Sequence, residues 1–483
     1  MQVKGGRLEL LVPHMLRGQL LRPGFVRLSL RLGLTRQMPA WAKLQFTNNG
    51  ITARDLDQVL GRITGLESWV DEWEALGLRH DLAGHEALEA GQIRQAGQRF
   101  LWASAAYNFA QYVVFMEPAR KKQLHERCVA SYTAAAPHLE YPVLPFEVEF
   151  RKRAVKGALR LPHGDGPHPV VVIFNGTNGV KEELHAWSEP YLERGIATIT
   201  LDGPGLGQTF HRLGSVAEPR PLGVAIMNHI EAIPELDSDA VAYMGLSLGG
   251  YAAIKMASHD KRVRCVAAVS PPFSVDVYWN VTLFSMRKEL ANLYQMSIGE
   301  MDRFIPRITL EHTLPDLEAP LMLAGGGHDM ITPGEEAQRI FTTARGEREL
   351  VYYPRGAHEC FNVLADLRPR MTGWVAQQLA KHRASPPPRP KRAGPDPRDA
   401  VFMAAEAVDP DFADDLMGEG HRREWHEHRS TAPSLGARFS WPWSTERRLQ
   451  ILHQTAHGTV AVAVQAVTAS SAWRTRAESS RGV

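Results

Sequence analysis

Three residues of the chain, Ser247, Asp329 and His358, supply in that order a nucleophile, an acid and a base. A serine hydroxyl is a weak nucleophile near neutral pH. It becomes reactive when an imidazole takes its proton and a carboxylate holds that imidazole in the right tautomer. Ser247 sits in Gly245-Leu246-Ser247-Leu248-Gly249, between an apolar run over 240–244 and an Ala-rich stretch from Tyr251. This GxSxG pattern predicts a strand, a sharp turn and a helix, with glycines where side chains would collide as the two elements converge. The backbone N–H of Leu248, at the helix start, would then face a developing oxyanion, with the helix dipole adding to the stabilisation.

Asp329 follows the apolar run 320–324 through Gly325-Gly326-Gly327-His328, and His358 follows the run 349–353 through Pro354-Arg355-Gly356-Ala357. Both therefore fall just past strand ends, where a parallel sheet places its chemistry. His328 precedes the acid and is read as a neighbour. Glu359 is an alternative acid, disfavoured because a residue adjacent to the base cannot easily turn back to its ring. The second oxyanion donor is expected in the loop after Phe174, from the N–H of Thr177, with Gly176 allowing close approach. The run Asp202-Gly203-Pro204-Gly205-Leu206-Gly207 lacks the GKS or GKT ending of a phosphate loop and reads as a tight turn shaping the pocket.

The elements that must carry these residues alternate. A hairpin (147–151 and 154–161) leads into strands at 169–174, 196–201, 240–244, 263–270, 320–324 and 349–353, with helices at 181–193, 222–233, from 251, 335–343 and 367–382. Such alternation predicts an α/β fold with a doubly wound, mostly parallel sheet. The stretch 271–312, with Trp279, Leu290, Leu293 and Tyr294, is too long for a plain connection and reads as a helical insertion above the site. Ahead of the core, residues 52–140 carry helical periodicity and are expected to form an all-α layer, with helices over 85–116 and 120–136. The division is a basic extension over 1–51, the α-helical layer over 52–140, the α/β core over 141–383, a Pro-rich linker over 384–398 and a C-terminal module of unassigned role over 399–483.

With 483 residues the chain is long enough for two or three domains, and its net charge of +2 gives no global field for nucleic acid or a membrane surface. No apolar run is long enough to span a bilayer, and no signal peptide is recognised. Cys128, Cys265 and Cys360 have no metal or redox spacing and fit a reducing compartment, so a cytoplasmic location is expected. His421, Glu424, His426, His428, His453 and His457 match no ligand motif. No metal or organic cofactor is expected. The expected partner is a small-molecule substrate, without nucleic acid and with a homodimer left open.

A wider pattern resembles the α/β-hydrolase superfamily over 146–383. A narrower one, over 85–383, resembles the dihydroxypseudooxynicotine hydrolase group. It rests on Ala105-Ala106-Tyr107, Ala110-Gln111-Tyr112, Pro145-Phe146, the loop Asn175-Gly176-Thr177-Asn178-Gly179-Val180-Lys181-Glu182-Glu183, the turn from Asp202 to Gln208, and Gly356-Ala357-His358-Glu359-Cys360. The resemblance implies an N-terminal helical lid and cleavage of a carbon–carbon bond beside a ketone, in a β-diketone or polyketide-like substrate. Ser247, Asp329 and His358 match the triad positions. The family's usual Gly-Gly after the oxyanion strand is Gly176-Thr177 here, a departure that bears on substrate fit. A general carboxylesterase, an acyltransferase and a non-catalytic binding protein with a vestigial triad stay open as alternatives.

Overall fold

The computed structural model describes residues 40–384, apart from Val113, Phe115, Met116, His211, Arg212, Ala217, Tyr278, residues 280–283 and Met330. The basic stretch before Ala40, the linker beyond Ala384 and the C-terminal module lie outside the described residues.

Five helices come first: α1 (Ala40–Thr47), α2 (Ala53–Arg62), α3 (Leu66–Glu89), α4 (Ile93–Gln111) and α5 (Pro118–Ala135). Phe46, Trp69, Trp73 and Phe109 bring α1, α3 and α4 together, with Phe46 and Phe109 ring centroids 4.7 Å apart. Residues 40–50, assigned to the extension on sequence grounds, are thus packed into the helical layer. The single helix expected over 85–116 is two segments, because Gly91 adopts φ 71° and turns the chain between α3 and α4. Pro118 opens α5, a position where its missing N–H costs no helical bond.

The core follows with β1 (Val143–Phe150), β2 (Arg153–Arg160), β3 (His168–Phe174), α6 (His185–Leu192), β4 (Ala197–Leu201), α7 (Arg220–Ile230), β5 (Leu236–Leu246), α8 (Leu248–His259) and β6 (Val263–Val269). After these come α9 (Phe284–Leu293), α10 (Ile298–Phe304), β7 (Leu321–Gly326), α11 (Gly334–Thr343), β8 (Arg348–Tyr353) and α12 (Leu364–Ala384). One eight-stranded sheet has the order β1-β2-β4-β3-β5-β6-β7-β8. β1 and β2 form an antiparallel hairpin, β2 runs antiparallel to β4, and β4 through β8 with β3 are parallel.

The parallel strands are apolar throughout because both faces are covered. Val170, Val172, Tyr243 and Val266 pack on one face with Leu222 and Ile226 of α7. Their neighbours one residue on, Val171, Ile173, Met244 and Ala267, pack on the other with Tyr191 of α6 and Leu367, Met371 and Val375 of α12. The insertion is closed at its neck where the Leu310 N–H donates to the Phe273 carbonyl (2.8 Å). Among the described residues no helix is long and apolar enough to cross a membrane.

Candidate active site

The turn between β5 and α8 has no room for side chains. A Cβ on Gly245 would lie 2.3 Å from the Gly249 carbonyl oxygen, and one on Gly249 would lie 2.4 Å from that of Phe174. Ser247 between them takes φ 51° and ψ −121°, a conformation a serine adopts only when its surroundings impose it. Its N–H donates to the Val269 carbonyl on β6 (2.8 Å), and its own carbonyl accepts from the Gly250 N–H (2.9 Å). The side chain is thereby fixed at the carboxyl edge of the sheet.

Asp329 and His358 come from the turns after β7 and β8, joined where the His328 N–H donates to the Gly356 carbonyl (2.9 Å). His358 Nδ1 lies 2.8 and 3.0 Å from the two Asp329 carboxylate oxygens. Asp329 Oδ1 also accepts from the N–H groups of Ile331 (2.9 Å) and Thr332 (2.8 Å), which fixes its orientation. Both side chains are buried. Burial disfavours the imidazolium, but the Asp329 charge and hydrogen bond, aided by Glu359, win and raise the His358 pKa above 6.5. His328 is exposed.

Ser247, His358, Leu248 and Thr177 line one pocket. Among the described residues the N–H groups of Leu248 and Thr177 meet no protein acceptor, whereas the Gly176 N–H is already given to Asn175 Oδ1 (2.8 Å). The pocket is also walled by Gln45, Asn49 and Tyr112 of the helical layer and by Trp279 and Leu290 of the insertion. Four of the five residues singled out from the sequence therefore line one pocket, and the fifth, Asp329, is joined to it through His358.

Two further acids line the pocket: Glu183, to which the sequence reading gave no role, and Glu359, which it weighed only as a substitute for Asp329. Glu183 accepts from the Tyr112 hydroxyl, and weakly from Asn49 Nδ2 (3.5 Å) and Asn175 Nδ2 (3.4 Å). Burial, joined by repulsion from Glu359, pushes its pKa up to about 7 against those hydrogen bonds. Glu359 stands on the face of His358 away from Asp329, with Oε1 3.9 Å from Nε2. It therefore does not replace Asp329. Its backbone, at φ 53° and ψ 17°, is left-handed, as is that of Cys360 at φ 53°. Two consecutive non-glycine residues in this region cost about 1–2 kcal/mol each. Burial and the Asp329 charge raise the Glu359 pKa, with His358 opposing. The KEE run offered a signal for Glu183; for Glu359 the signal was its place beside His358, without one for the backbone turn that brings it back to the ring.

The Asp202 turn is a brace. Its buried carboxylate accepts from the Lys181 N–H (2.7 Å), Lys181 Nζ (3.1 Å) and the Gln208 N–H (3.0 Å). This fixes the end of the loop that carries Thr177. His125, Glu182 and Asp202 lie close enough together to hold a cation, but the Lys181 ammonium already bonds both carboxylates.

The family model for Esterase FrsA-like proteins matches residues 40–303. The chain is 27% identical over 317 residues to the 2,6-dihydropseudooxynicotine hydrolase of Paenarthrobacter nicotinovorans, covering 65% of this chain and 85% of that protein. It is 30% identical over 301 residues to the alpha/beta hydrolase ucsC of Acremonium sp, covering 57% of this chain and 60% of the relative. With Esterase FrsA of Vibrio vulnificus it is 24% identical over 300 residues, covering 59% and 70%. The crystal structure of the 2,6-dihydroxy-pseudo-oxynicotine hydrolase superposes with a TM-score of 0.65 at 24% identity, over 70% of this chain and 96% of that one. That likeness establishes the α/β-hydrolase fold. Since the matched stretch runs from α1 through the nucleophile turn and into the insertion, this hydrolase belongs to the FrsA-like esterase family.

Proposed function

We propose that Ser247, His358 and Asp329 act as a catalytic triad that cleaves a carbon–carbon bond beside a ketone, in a β-diketone or polyketide-like substrate. His358 Nε2 takes the proton of Ser247 as the hydroxyl attacks the carbonyl carbon, and Asp329 stabilises the imidazolium that results. The N–H groups of Leu248 and Thr177 hold the oxyanion. The carbon–carbon bond breaks, the departing ketone takes a proton, and water then hydrolyses the acyl-serine with His358 again as base. The helical layer and the insertion serve as a lid that restricts access and excludes water. Three buried free cysteines agree with a cytoplasmic enzyme.

The observation that carries this reading is the approach of the Asp329 carboxylate to His358 Nδ1 in the pocket where the strained Ser247 stands. Ester hydrolysis is the second reading, favoured by the match to an esterase family. A panel pairing aryl esters with aryl β-diketones, assayed with wild type and Ser247→Ala, separates the two. Loss of the nucleophile is expected to cost several orders of magnitude on whichever class is turned over. An Ala variant equal to wild type on every substrate would overturn the triad.

A further inference from the structure

The carbon–carbon reading, on which this inference rests, creates a proton-placement problem that ester hydrolysis does not have. In an ester the leaving oxygen is bonded to the attacked carbon, within reach of the imidazolium that holds the proton taken from Ser247. In a 1,3-diketone the bond to the central carbon breaks instead, and its electron pair moves onto the second carbonyl oxygen, two bonds beyond the break. A donor for that oxygen must stand beside His358 Nε2 and farther along the substrate.

Glu359 is beside that nitrogen and lines the same pocket. Its Oε1 is 3.9 Å from His358 Nε2. A Cβ added to Gly176 would lie 2.9 Å from Ser247 Cβ and 3.1 Å from Glu359 Oε1, so nucleophile and carboxyl flank the same glycine of the oxyanion loop. The left-handed backbone at Glu359 and Cys360 is imposed where the chain leaves His358, and the Glu359 N–H is tied to Ser270 Oγ (3.1 Å). Strain of this kind persists where the surrounding structure enforces it and concentrates at functional positions.

We propose that Glu359 is the catalytic acid for the departing ketone. Ser247 attacks the first carbonyl and His358 takes its proton. As the carbon–carbon bond breaks, Glu359 gives its proton to the second carbonyl oxygen, so the fragment leaves as an enol that becomes the ketone in water. The His358 imidazolium then returns its proton to the Glu359 carboxylate. Water hydrolyses the acyl-serine, and the sum is diketone plus water giving carboxylic acid plus ketone. The titratable groups around Glu359 are His358 and Asp329, Cys360 beside it, Glu183 from the loop after β3 and Tyr112 from the helical layer.

The test compares a 1,3-diketone doubly substituted at its central carbon, which cannot enolise before attack, with an aryl ester of the same acyl group. Glu359→Gln should lower the diketone-to-ester ratio of kcat by about 100-fold, the typical contribution of a positioned acid. The deficit should shrink when electron-withdrawing groups on the departing ketone stabilise its enolate. In the wild type the same ratio should fall as pH rises and Glu359 loses its proton, a readout independent of whether the variant folds. An unchanged or equal response of both substrates, with a wild-type ratio flat in pH, overturns the role of Glu359. A wild type that hydrolyses esters and no diketone instead sinks the carbon–carbon reading itself.

Discussion

Tyr112, at the end of α4, donates its hydroxyl proton to the carboxylate of Glu183, 71 residues away in the core. The bond joins the helical layer to the loop that carries Thr177, and both partners line the pocket that holds Ser247 and His358. Removing the hydroxyl in Tyr112→Phe leaves an acceptor in a largely enclosed place, at a cost of about 1–3 kcal/mol. Chemical denaturation should show that loss. If the layer acts as a lid, KM should rise more than kcat falls.

The titration of Glu183 gives a stability signature with a definite sign. Its pKa is about 7 in the folded chain against an ordinary value of 4.5, so between these pH values the native state holds more proton than the unfolded one. Stability therefore falls as pH rises through this window. Glu183→Gln removes that dependence. Thermal unfolding at pH 5 and pH 8 should show the variant gaining on wild type at the higher pH; equal differences at both would show that Glu183 is not raised.

Asp329→Asn tests the charge opposite the nucleophile. Loss of the carboxylate from a triad drops kcat by roughly 10⁴-fold. On the proposed mechanism His358 must be neutral to accept the serine proton; burial lowers its pKa, but the Asp329 charge and hydrogen bond hold it above 6.5, so activity should fall as pH drops through that raised value. In the variant the residual activity should persist to lower pH, because the largest stabiliser of the imidazolium is gone. A pH profile of kcat/KM reads both effects.

Gly176→Ala and Gly249→Ala separate strain at the site from strain in the fold. The added methyl at Gly249 would meet the backbone carbonyl of Phe174 at 2.4 Å, which can yield only by moving β3, and soluble folded protein is expected to be scarce. At Gly176 the nearest atom is Ser247 Cβ at 2.9 Å. A displacement of even 1 Å there is expected to cost about 100-fold in kcat, with far less change in Tm than at Gly249.

The placement of Ser247, Asp329 and His358 was readable because each follows a short apolar strand, and the parallel sheet delivers strand ends to one edge. Gly245 and Gly249 were readable because the turn admits nothing larger. Glu359 was dismissed as a substitute acid on the argument that it could not turn back to its neighbour's ring. A left-handed backbone, which sequence alone does not announce for glutamate, brings it to the ring's other nitrogen. The break at Gly91 was hidden inside a continuous helical pattern. The first helix was missed for a different reason: its partners lie far along the chain, with Trp41 stacked on Phe361 at 6.1 Å and Asn48 Nδ2 donating to the Phe361 carbonyl (2.8 Å).

Lys121 of α5 bonds Asn178 Oδ1 in the loop after β3 and lies 4.0 Å from Glu289 of α9, so one side chain touches the helical layer, the core and the insertion together. Glu289 is buried, and among the described residues its carboxyl oxygens have no hydrogen-bond partner; burial raises its pKa to about 7, opposed by the Lys121 charge. Removing one member of a buried pair strands the other charge, whereas removing both is often nearly neutral. Lys121 is only half-buried and Glu289 can take a proton when the cation goes, so Lys121→Met is expected to destabilise the protein by about 1–3 kcal/mol. Lys121→Met with Glu289→Gln should recover most of that loss. Activity need not recover with stability, because the double variant still lacks the cation on Asn178. Denaturation and kcat measured on the same three proteins separate the two: a double variant as unstable as Lys121→Met would show that the two side chains are not coupled.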